Sequence, residues 1–195
     1  MAHGQAGRRA GTAVLAAALA AGSVHAEPAV YLLDPDHSFV TFEVLHFGTS
    51  TIRGRFAGID GFVELDRDAR PGSVSLRLPP ADVDTGVPAF DARLRGPDLL
   101  AVEIYRWAYF VASRVIFDGA AVAAVHGELT LRGVSRGLEL RALRFGCCGH
   151  PLLRREVCGG DFEGELRRSD FGAGFGVPYV ADRVRLLVQV EGIRR

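Results

Sequence analysis

Apolar and polar residues alternate along most of the chain, which is the pattern of strands with one buried face. In the segment 40–46, Val40, Phe42, Val44 and His46 fall on one face and the residues between them on the other. Successive side chains of a strand point to opposite faces, so three apolar side chains and one imidazole lie together. We predict a half-buried antiparallel strand here.

The same period of two recurs downstream. One segment differs: in 87–103, Phe90, Leu94, Leu99 and Leu100 are spaced like short helical turns, which predicts a helical excursion. Asp118 and Gly119 predict a hairpin turn. A loop carrying the cysteines is expected over 147–158. The remaining predicted strands lie near 54–56, 63–65, 73–78, 107–117, 125–132, 138–142, 162–168 and 184–190.

About eight amphipathic antiparallel strands must close off their apolar faces, either as a barrel or as a two-sheet sandwich. We predict an all-β, eight-stranded barrel, which is wide enough to fill with side chains or to hold one slender ligand. Small residues at inward positions either leave room for a ligand or only relieve strain in coiled strands, and the sequence supports both equally. These residues are Gly54, Ala108, Ala112, Gly127 and Gly164.

The N-terminus has the three parts of a secretory signal. Arg8 and Arg9 precede an Ala/Leu/Val run over 10–21, and small residues at 24–26 suit a cleavage site. We therefore predict a signal peptide over 1–26, a single domain over 27–195, and a periplasmic or secreted protein. The paired arginines also leave the twin-arginine export route open, although general secretion is favoured.

Charge and composition exclude several classes of protein. The 23 basic residues balance 23 acidic ones, so the chain lacks the basic footprint of a nucleic-acid-binding protein. Every basic residue is arginine. The absence of lysine removes Schiff-base chemistry and phosphate-loop or kinase lysines. No nucleophile is paired with a base, so we predict no catalytic residues and no enzyme activity.

The histidines do not predict a metal site. The spacing of His37, His46, His126 and His150 matches no ligand signature. His46 shares the apolar face of its strand near the strand end. There it either hydrogen-bonds the head group of a ligand or is a satisfied imidazole at the barrel rim.

Arg168 is in phase with Phe162 and Leu166, and so with the apolar face of its strand. It either meets an anionic or carbonyl head group or pairs with a carboxylate such as Asp36 or Asp170. The structural pair is slightly favoured.

Cys147, Cys148 and Cys158 lie within twelve residues of a chain that carries an export signal. Exported proteins reach oxidising compartments, so a disulfide is favoured over zinc.

Several segments together resemble the YceI-like family, in the right order and over about 31–193. The segments are DPDHSFVTFEVLHFG, STIRGRF, VDTG, DARLRGPDLLAVEIY, GELTLRGVSRGLEL, CGHPLLRREVCGGDFEGELRRSDFG and VRLLVQVEG. The resemblance implies an exported, lipocalin-like barrel that holds a polyisoprenoid or a similar long amphiphile. It also implies a Cys147–Cys158 disulfide, which leaves Cys148 over.

The expected function is a carrier of a polyisoprenoid, an isoprenoid quinone or a related lipid, with no other cofactor and with transient contact to membranes or membrane-bound lipid donors. The alternatives are a barrel without a cavity that acts through its surface and, less favoured, an enzyme acting on a lipid or quinone. The predicted ligand-binding residues are Phe42, Val44, His46, Phe56, Phe110, Leu129, Leu140, Leu166, Arg168 and Leu186.

An aromatic patch is expected outside the barrel. If Ala108, Phe110 and Ala112 face inward, Trp107, Tyr109 and Val111 face outward. The helical excursion covers this patch, or a second subunit does as a homodimer; cover by the excursion is slightly favoured.

Overall fold

In the part of the chain that the structure describes, eleven strands form one antiparallel sheet that closes on itself. The computed structural model describes Met1, residues 28–66 and residues 72–195. The predicted signal segment, apart from Met1, lies outside the described residues. The strands are β1 Ala29–Leu33, β2 Phe39–His46, β3 Ser50–Phe56, β4 Asp60–Leu65, β5 Gly72–Leu78, β6 Val83–Asp84, β7 Ala108–Asp118, β8 Ala121–Leu131, β9 Val134–Gly149, β10 Glu156–Arg167 and β11 Val180–Arg194.

Consecutive short strands share one position in the barrel wall, which gives eight positions in total. β1 and β2 both pair with β11. On its other side β1 pairs with β4, and β4 pairs with β5. In the same way β2 pairs with β3, and β3 pairs with β6. The strands β7 to β11 then follow in order and complete the ring. The prediction of an eight-stranded antiparallel barrel is confirmed.

The period of two separates an apolar interior from a charged exterior. On the outside, Glu43 accepts hydrogen bonds from Arg53 Nε (2.7 Å) and Arg185 Nη1 (3.2 Å). Glu163 accepts from Arg185 Nη2 (2.7 Å) and from Arg141. These bonds lower the pKa of both carboxyls, Arg53 acting most on Glu43 and Arg185 most on Glu163. The chain of pairs crosses five neighbouring strands and keeps the outer wall polar.

The predicted helical excursion contains one short helix, α1, over Pro88–Arg95. The segment lies across one end of the barrel. At this end the pairing of β5 with β7 stops at Leu78 and Ala108, and β6 pairs only with β3, so the segment occupies the gap between them. None of the described residues forms a helix long and apolar enough to cross a bilayer.

Hydrogen bonds to Thr85 on one side and to Arg132 on the other hold this segment in place. Asp91 accepts from the backbone N–H of Thr85 (2.8 Å) and from its hydroxyl (2.7 Å), which lowers the pKa of the carboxyl. On the other side, Arg132 in the β8–β9 turn donates to the carbonyls of Pro97 (2.9 Å) and Leu99. The segment is therefore a fixed cover over one end of the barrel.

The excursion does not cover the outer aromatic patch, so that expectation is wrong. Trp107, Tyr109 and Val111 remain 37%, 44% and 54% exposed, while Ala108 and Phe110 of the same stretch are buried. The excursion lies across the barrel end, whereas the patch lies on the outer wall.

The expected cysteine loop is also corrected, because both bonded cysteines lie on strands. Cys147 on β9 is directly opposite Cys158 on β10, and only residues 150–155 form the connecting loop. The Cys147–Cys158 disulfide is present, as predicted. Cys148 is free and exposed.

Candidate functional site: a row of apolar chambers

Among the described residues, three apolar chambers lie in a row inside the barrel. The largest, about 300 Å³, lies at the covered end beneath α1 and is called the mouth chamber. A middle chamber of about 120 Å³ shares Phe56, Leu166 and Leu186 with it, and a deep chamber of about 80 Å³ shares Phe110 and Leu140 with the middle one. Neighbouring chambers share wall residues, so they follow one another along the barrel. The mouth chamber reaches the lower end of the usual range for ligand pockets, roughly 300–1,000 Å³.

All ten residues predicted to bind a ligand line these chambers; that they contact one stays a prediction. Phe42, Val44, His46, Phe56, Leu166, Arg168 and Leu186 line the mouth chamber, Phe56, Phe110, Leu129, Leu140, Leu166 and Leu186 the middle chamber, and Phe110 and Leu140 the deep chamber. Alternation along the strands was sufficient to find nine of them, whereas Arg168 lies just past the end of β10, in a short turn over Arg168–Phe171.

The inward glycines do not themselves leave open space. A Cβ at Gly54 would lie 2.5 Å from the ring of Phe42, and one at Gly127 would lie 2.5 Å from the ring of Phe110. The rings therefore rest on the wall above these glycines. Neither interpretation made from the sequence describes this role. Gly54 and Gly127 let the rings of Phe42 and Phe110 lie flat against the wall, which leaves the chamber volume free.

His46 lies at the end of β2 and is half-buried at the mouth chamber. Its ring packs edge-on against Phe47, with 4.6 Å between centroids. Neither ring nitrogen has a hydrogen-bond partner within 28–66 or 72–195. The ring nitrogens are therefore available to solvent or to a head group, and both interpretations made from the sequence stay open.

Arg168 is buried at 8% exposure, and its partners are backbone carbonyls. Nε donates to Ala181 (2.9 Å), Nη1 to Ala173 (2.6 Å) and Phe175 (2.8 Å), and Nη2 to Val180 (2.7 Å). The favoured expectation of a carboxylate pair is wrong.

The geometry explains why neither expected carboxylate reaches Arg168. Asp36 precedes β2 and so lies towards the opposite end of the barrel, and Asp170 is exposed on the turn after β10. Burial lowers the pKa of Arg168, yet a guanidinium stays protonated in proteins. The mouth chamber therefore has a buried positive charge in its wall.

Sequence reasoning missed the contribution of two loops to the mouth chamber. Arg93 lines it and forms a two-point ion pair with Asp98 (2.6 and 2.5 Å), and its guanidinium lies 4.1 Å from the ring centroid of Phe175. The helical spacing of the excursion was the available signal, but it did not indicate which face points inward. Other lining residues that were missed include Phe90, Leu94, Leu99, Leu100 and Val180.

One group of side chains brings metal-ligating atoms close together. Cys147, Glu156 and Cys158 lie within 4.8 Å of one another, but both sulfurs belong to the disulfide. A sulfur in a disulfide is not the thiolate that metals bind. The group has a structural explanation.

The fold and its interior define a class, the lipocalin-like β-barrels with an apolar lumen. The YceI-like domain family matches residues 31–192, and the chain belongs to this family. A UPF0312 protein of Serratia proteamaculans is 32% identical over 179 residues, which is 90% of this chain and 91% of that protein.

Two solved structures share the fold. The YceI protein of Campylobacter jejuni aligns with a TM-score of 0.66 at 22% identity, covering 77% of this chain and 90% of that one. A polyisoprenoid binding domain from Saccharophagus degradans, implicated in plant cell wall breakdown, aligns at 0.59 with 16% identity, covering 85% and 98%. At these identities the likeness concerns the fold.

Proposed function

We propose that the protein is an exported carrier that holds a polyisoprenoid, an isoprenoid quinone or a related long-chain amphiphile inside the barrel. The observation that carries the proposal is the row of three chambers, lined almost wholly by carbon atoms. Burial of apolar surface supplies the affinity, and a long flexible chain is the ligand shape that suits chambers arranged in sequence. The polyisoprenoid binding described for the Saccharophagus domain supports this choice.

Polar groups at one end give the ligand a direction. His46 and Arg168 both line the mouth chamber, whereas the middle and deep chambers are almost purely apolar. The head group lies at the mouth, where His46 offers free ring nitrogens and Arg168 attracts oxygen atoms or negative charge. The tail extends towards the disulfide end. The predicted site residues keep these roles in the proposal.

The enzyme alternative is weaker than the carrier. The Arg168 guanidinium donates hydrogen bonds to four backbone carbonyls, and an arginine side chain does not lose its proton at ordinary pH, so it cannot act as a general acid or base. That leaves His46 without a partner for acid–base chemistry among the described side chains. We assign the protein no catalytic step, and we place it in the periplasm or outside the cell.

A substitution in the middle chamber tests the carrier. Leu129→Trp places an indole in a space of about 120 Å³ and blocks the path of the tail. We expect wild-type protein purified from its own host to retain a lipid in native mass spectrometry and the variant to retain about tenfold less.

The matched control is His126→Trp, which adds the same side chain to the outer face of the same strand, where His126 lies 3.8 Å from Glu139. It should retain lipid as the wild type does. Undiminished lipid in a folded Leu129→Trp variant, as judged by thermal unfolding, would refute the carrier.

We also propose that the outer patch of Trp107, Tyr109 and Val111 is the contact of a homodimer, since the excursion leaves it exposed. Tyr109→Glu would place a charge in that contact, and we expect the mass in solution to fall to that of a monomer. A folded variant whose mass equals that of the wild type would remove the dimer.

A further inference from the structure

Three loops around the mouth chamber carry exposed apolar side chains. They are the β2–β3 turn, the segment leading into α1 together with the first turn of α1, and the loop between β10 and β11. Together they form what we call the mouth rim. Its exposed residues, with exposed fractions from 40% to 65%, are Phe47, Val87, Phe90, Phe175, Val177 and Tyr179.

Contacts join these loops into one surface. The ring centroids of Phe47 and Tyr179 lie 5.6 Å apart. The backbone N–H of Phe47 donates to the carbonyl oxygen of Tyr179, with 2.7 Å between nitrogen and oxygen. Phe175 and Phe90 belong both to the rim and to the lining of the mouth chamber. The rim therefore surrounds the chamber where the proposed head group lies.

The loop segments of the rim carry no Arg, Asp or Glu; a nearby charge is the Arg93 guanidinium, which is paired with Asp98 and lies 4.1 Å from the ring centroid of Phe175. The segments 45–52, 85–90 and 171–181 have none, and their ionisable residues are His46 and Tyr179. The outer wall of the barrel, by contrast, has arginine–carboxylate pairs across five strands. Large apolar side chains free of charge are suited to the boundary between headgroups and acyl chains, where aromatic rings are favoured.

Phe47 adds an independent observation, because its backbone conformation is unfavourable for a phenylalanine. Its φ is 49°, in the left-handed region where a bulky residue is strained. The side chain is nevertheless 60% exposed. Asparagine or glycine would suit the backbone better, and the ring contacts of Phe47 are with His46 and Tyr179 at the same opening.

We propose that the mouth rim inserts into the surface of a lipid bilayer, so that the mouth chamber opens towards the membrane when a lipid enters or leaves. The inference rests on the proposed carrier function and names the partner of that site. A long isoprenoid is poorly soluble in water, and a rim that displaces water from the opening gives its tail a continuous apolar path. Insertion depends on the rings rather than on charge.

The opposite end of the barrel offers the competing contact. Leu152 and Leu153, at the tip of the β9–β10 loop, are 87% and 47% exposed, and Arg154 and Arg155 follow them. Binding through this tip would favour anionic lipids and weaken with salt.

The test compares variants of the two ends on phosphatidylcholine vesicles by sedimentation. Phe47→Asn with Tyr179→Ser should reduce the bound fraction about tenfold, since two rings leave the interface. Neither residue lines a chamber. Leu152→Ser with Leu153→Ser is the matched control and should bind as the wild type does. Raising salt from about 0.1 M to about 0.5 M should leave wild-type binding unchanged.

Two further measurements keep the result interpretable. Phe47→Asn alone should unfold at a temperature no lower than the wild type, because asparagine tolerates the left-handed backbone; loss of vesicle binding in that variant is then not loss of fold. The proposal would be overturned if the rim variant bound vesicles as well as the wild type does, or if the Leu152/Leu153 variant lost vesicle binding.

The isoprenoid geranylgeraniol, delivered without a bilayer as a cyclodextrin complex, separates this inference from the carrier. The rim variant should bind geranylgeraniol as the wild type does while failing on vesicles. If the wild type docks through the rim but binds no geranylgeraniol, the carrier proposal fails and the docking surface remains.

Discussion

The two ends of the barrel are built differently although both are apolar inside. At the mouth, a chamber of about 300 Å³ lies under a helical cover and next to His46 and Arg168. At the other end, the deep chamber measures about 80 Å³, and its lining includes Tyr31, only 2% exposed, and Cys158 of the disulfide. One end has room and polar groups, and the other has tight packing and a covalent link.

The difference teaches where stability and binding reside in this fold. The larger core cluster surrounds the deep and middle chambers, while the smaller one lies at the mouth and has Phe42, Val44, Val83 and Val184 as its buried members. Regions that open for ligands have few buried apolar contacts, and regions that maintain the fold have many. We therefore expect substitutions at the closed end to change unfolding and substitutions at the mouth to change ligand binding.

The largest expected effect on stability comes from removing the disulfide. Cys147→Ser with Cys158→Ser opens a link between residues 11 apart, and chain entropy alone predicts a loss of about 2–3 kcal/mol in the free energy of unfolding. Denaturant unfolding measures the loss. Affinity for the lipid should hardly change in the folded protein.

Cys148→Ser is the control, because Cys148 is exposed and outside the bond. It should unfold as the wild type does. A disulfide variant with unchanged stability and weakened lipid binding would reverse the roles assigned to the two ends.

The sequence alone predicted the barrel wall well, because the period of two leaves no choice of face once one side is buried. Most strands that line the chambers showed this period, and Phe42, Leu129 and Leu140 were placed correctly from it, whereas β1 with Tyr31 was not predicted. Pairing was harder: the two-residue strand β6 and the extension of β9 and β10 to Cys147 and Cys158 depend on partners far away in the chain.

Side chains in loops were predicted least well. The partners of Arg168 are four carbonyls of a turn whose path no local pattern specifies. The same holds for the inward direction of Arg93 and Phe175. The glycines were recognised as inward, but the ring resting on each one depends on its neighbours on the facing strands.

Gly54→Ala should have a smaller effect on stability, located at the mouth. The new Cβ would fall 2.5 Å from the ring of Phe42 and 2.9 Å from Cγ2 of Thr85. Both are ends of side chains, so the ring swings into the mouth chamber rather than forcing the backbone apart. We expect a loss of about 1 kcal/mol in stability and a larger, roughly tenfold, loss in lipid affinity.

Gly146→Ala is the matched control near the closed end, since a Cβ there would meet nothing within 4 Å. It should leave both quantities unchanged. Calorimetry with a solubilised isoprenoid measures affinity, and a Gly54→Ala variant that binds as tightly as the wild type would show that the position of the Phe42 ring does not control access to the mouth.

The smallest expected effect is the response of the helical cover to acid. Hydrogen bonds from Thr85 lower the pKa of Asp91, and the Arg93 side chain lowers that of Asp98. A carboxyl whose pKa is lower in the folded state than its unfolded value of about 3.9 stabilises the fold above that value, and the contribution is lost as the pH falls through the folded pKa. The cover should therefore loosen below about pH 4, and bound lipid should leave more quickly there than at neutral pH.

Asp91→Asn makes this prediction specific. The amide oxygen can still accept the Thr85 N–H bond, but it has no charge to lose, so lipid release should depend less on pH between about 6 and about 3 than in the wild type. The closed end gives the comparison: the Cys147/Cys158 variant should lower the unfolding temperature by a similar amount at every pH in this range, since a disulfide does not titrate. An Asp91→Asn variant with the same acid response as the wild type would mean that Asp91 does not control the response, and that Asp98 or carboxylates of the outer wall, such as Glu43 and Glu163, do.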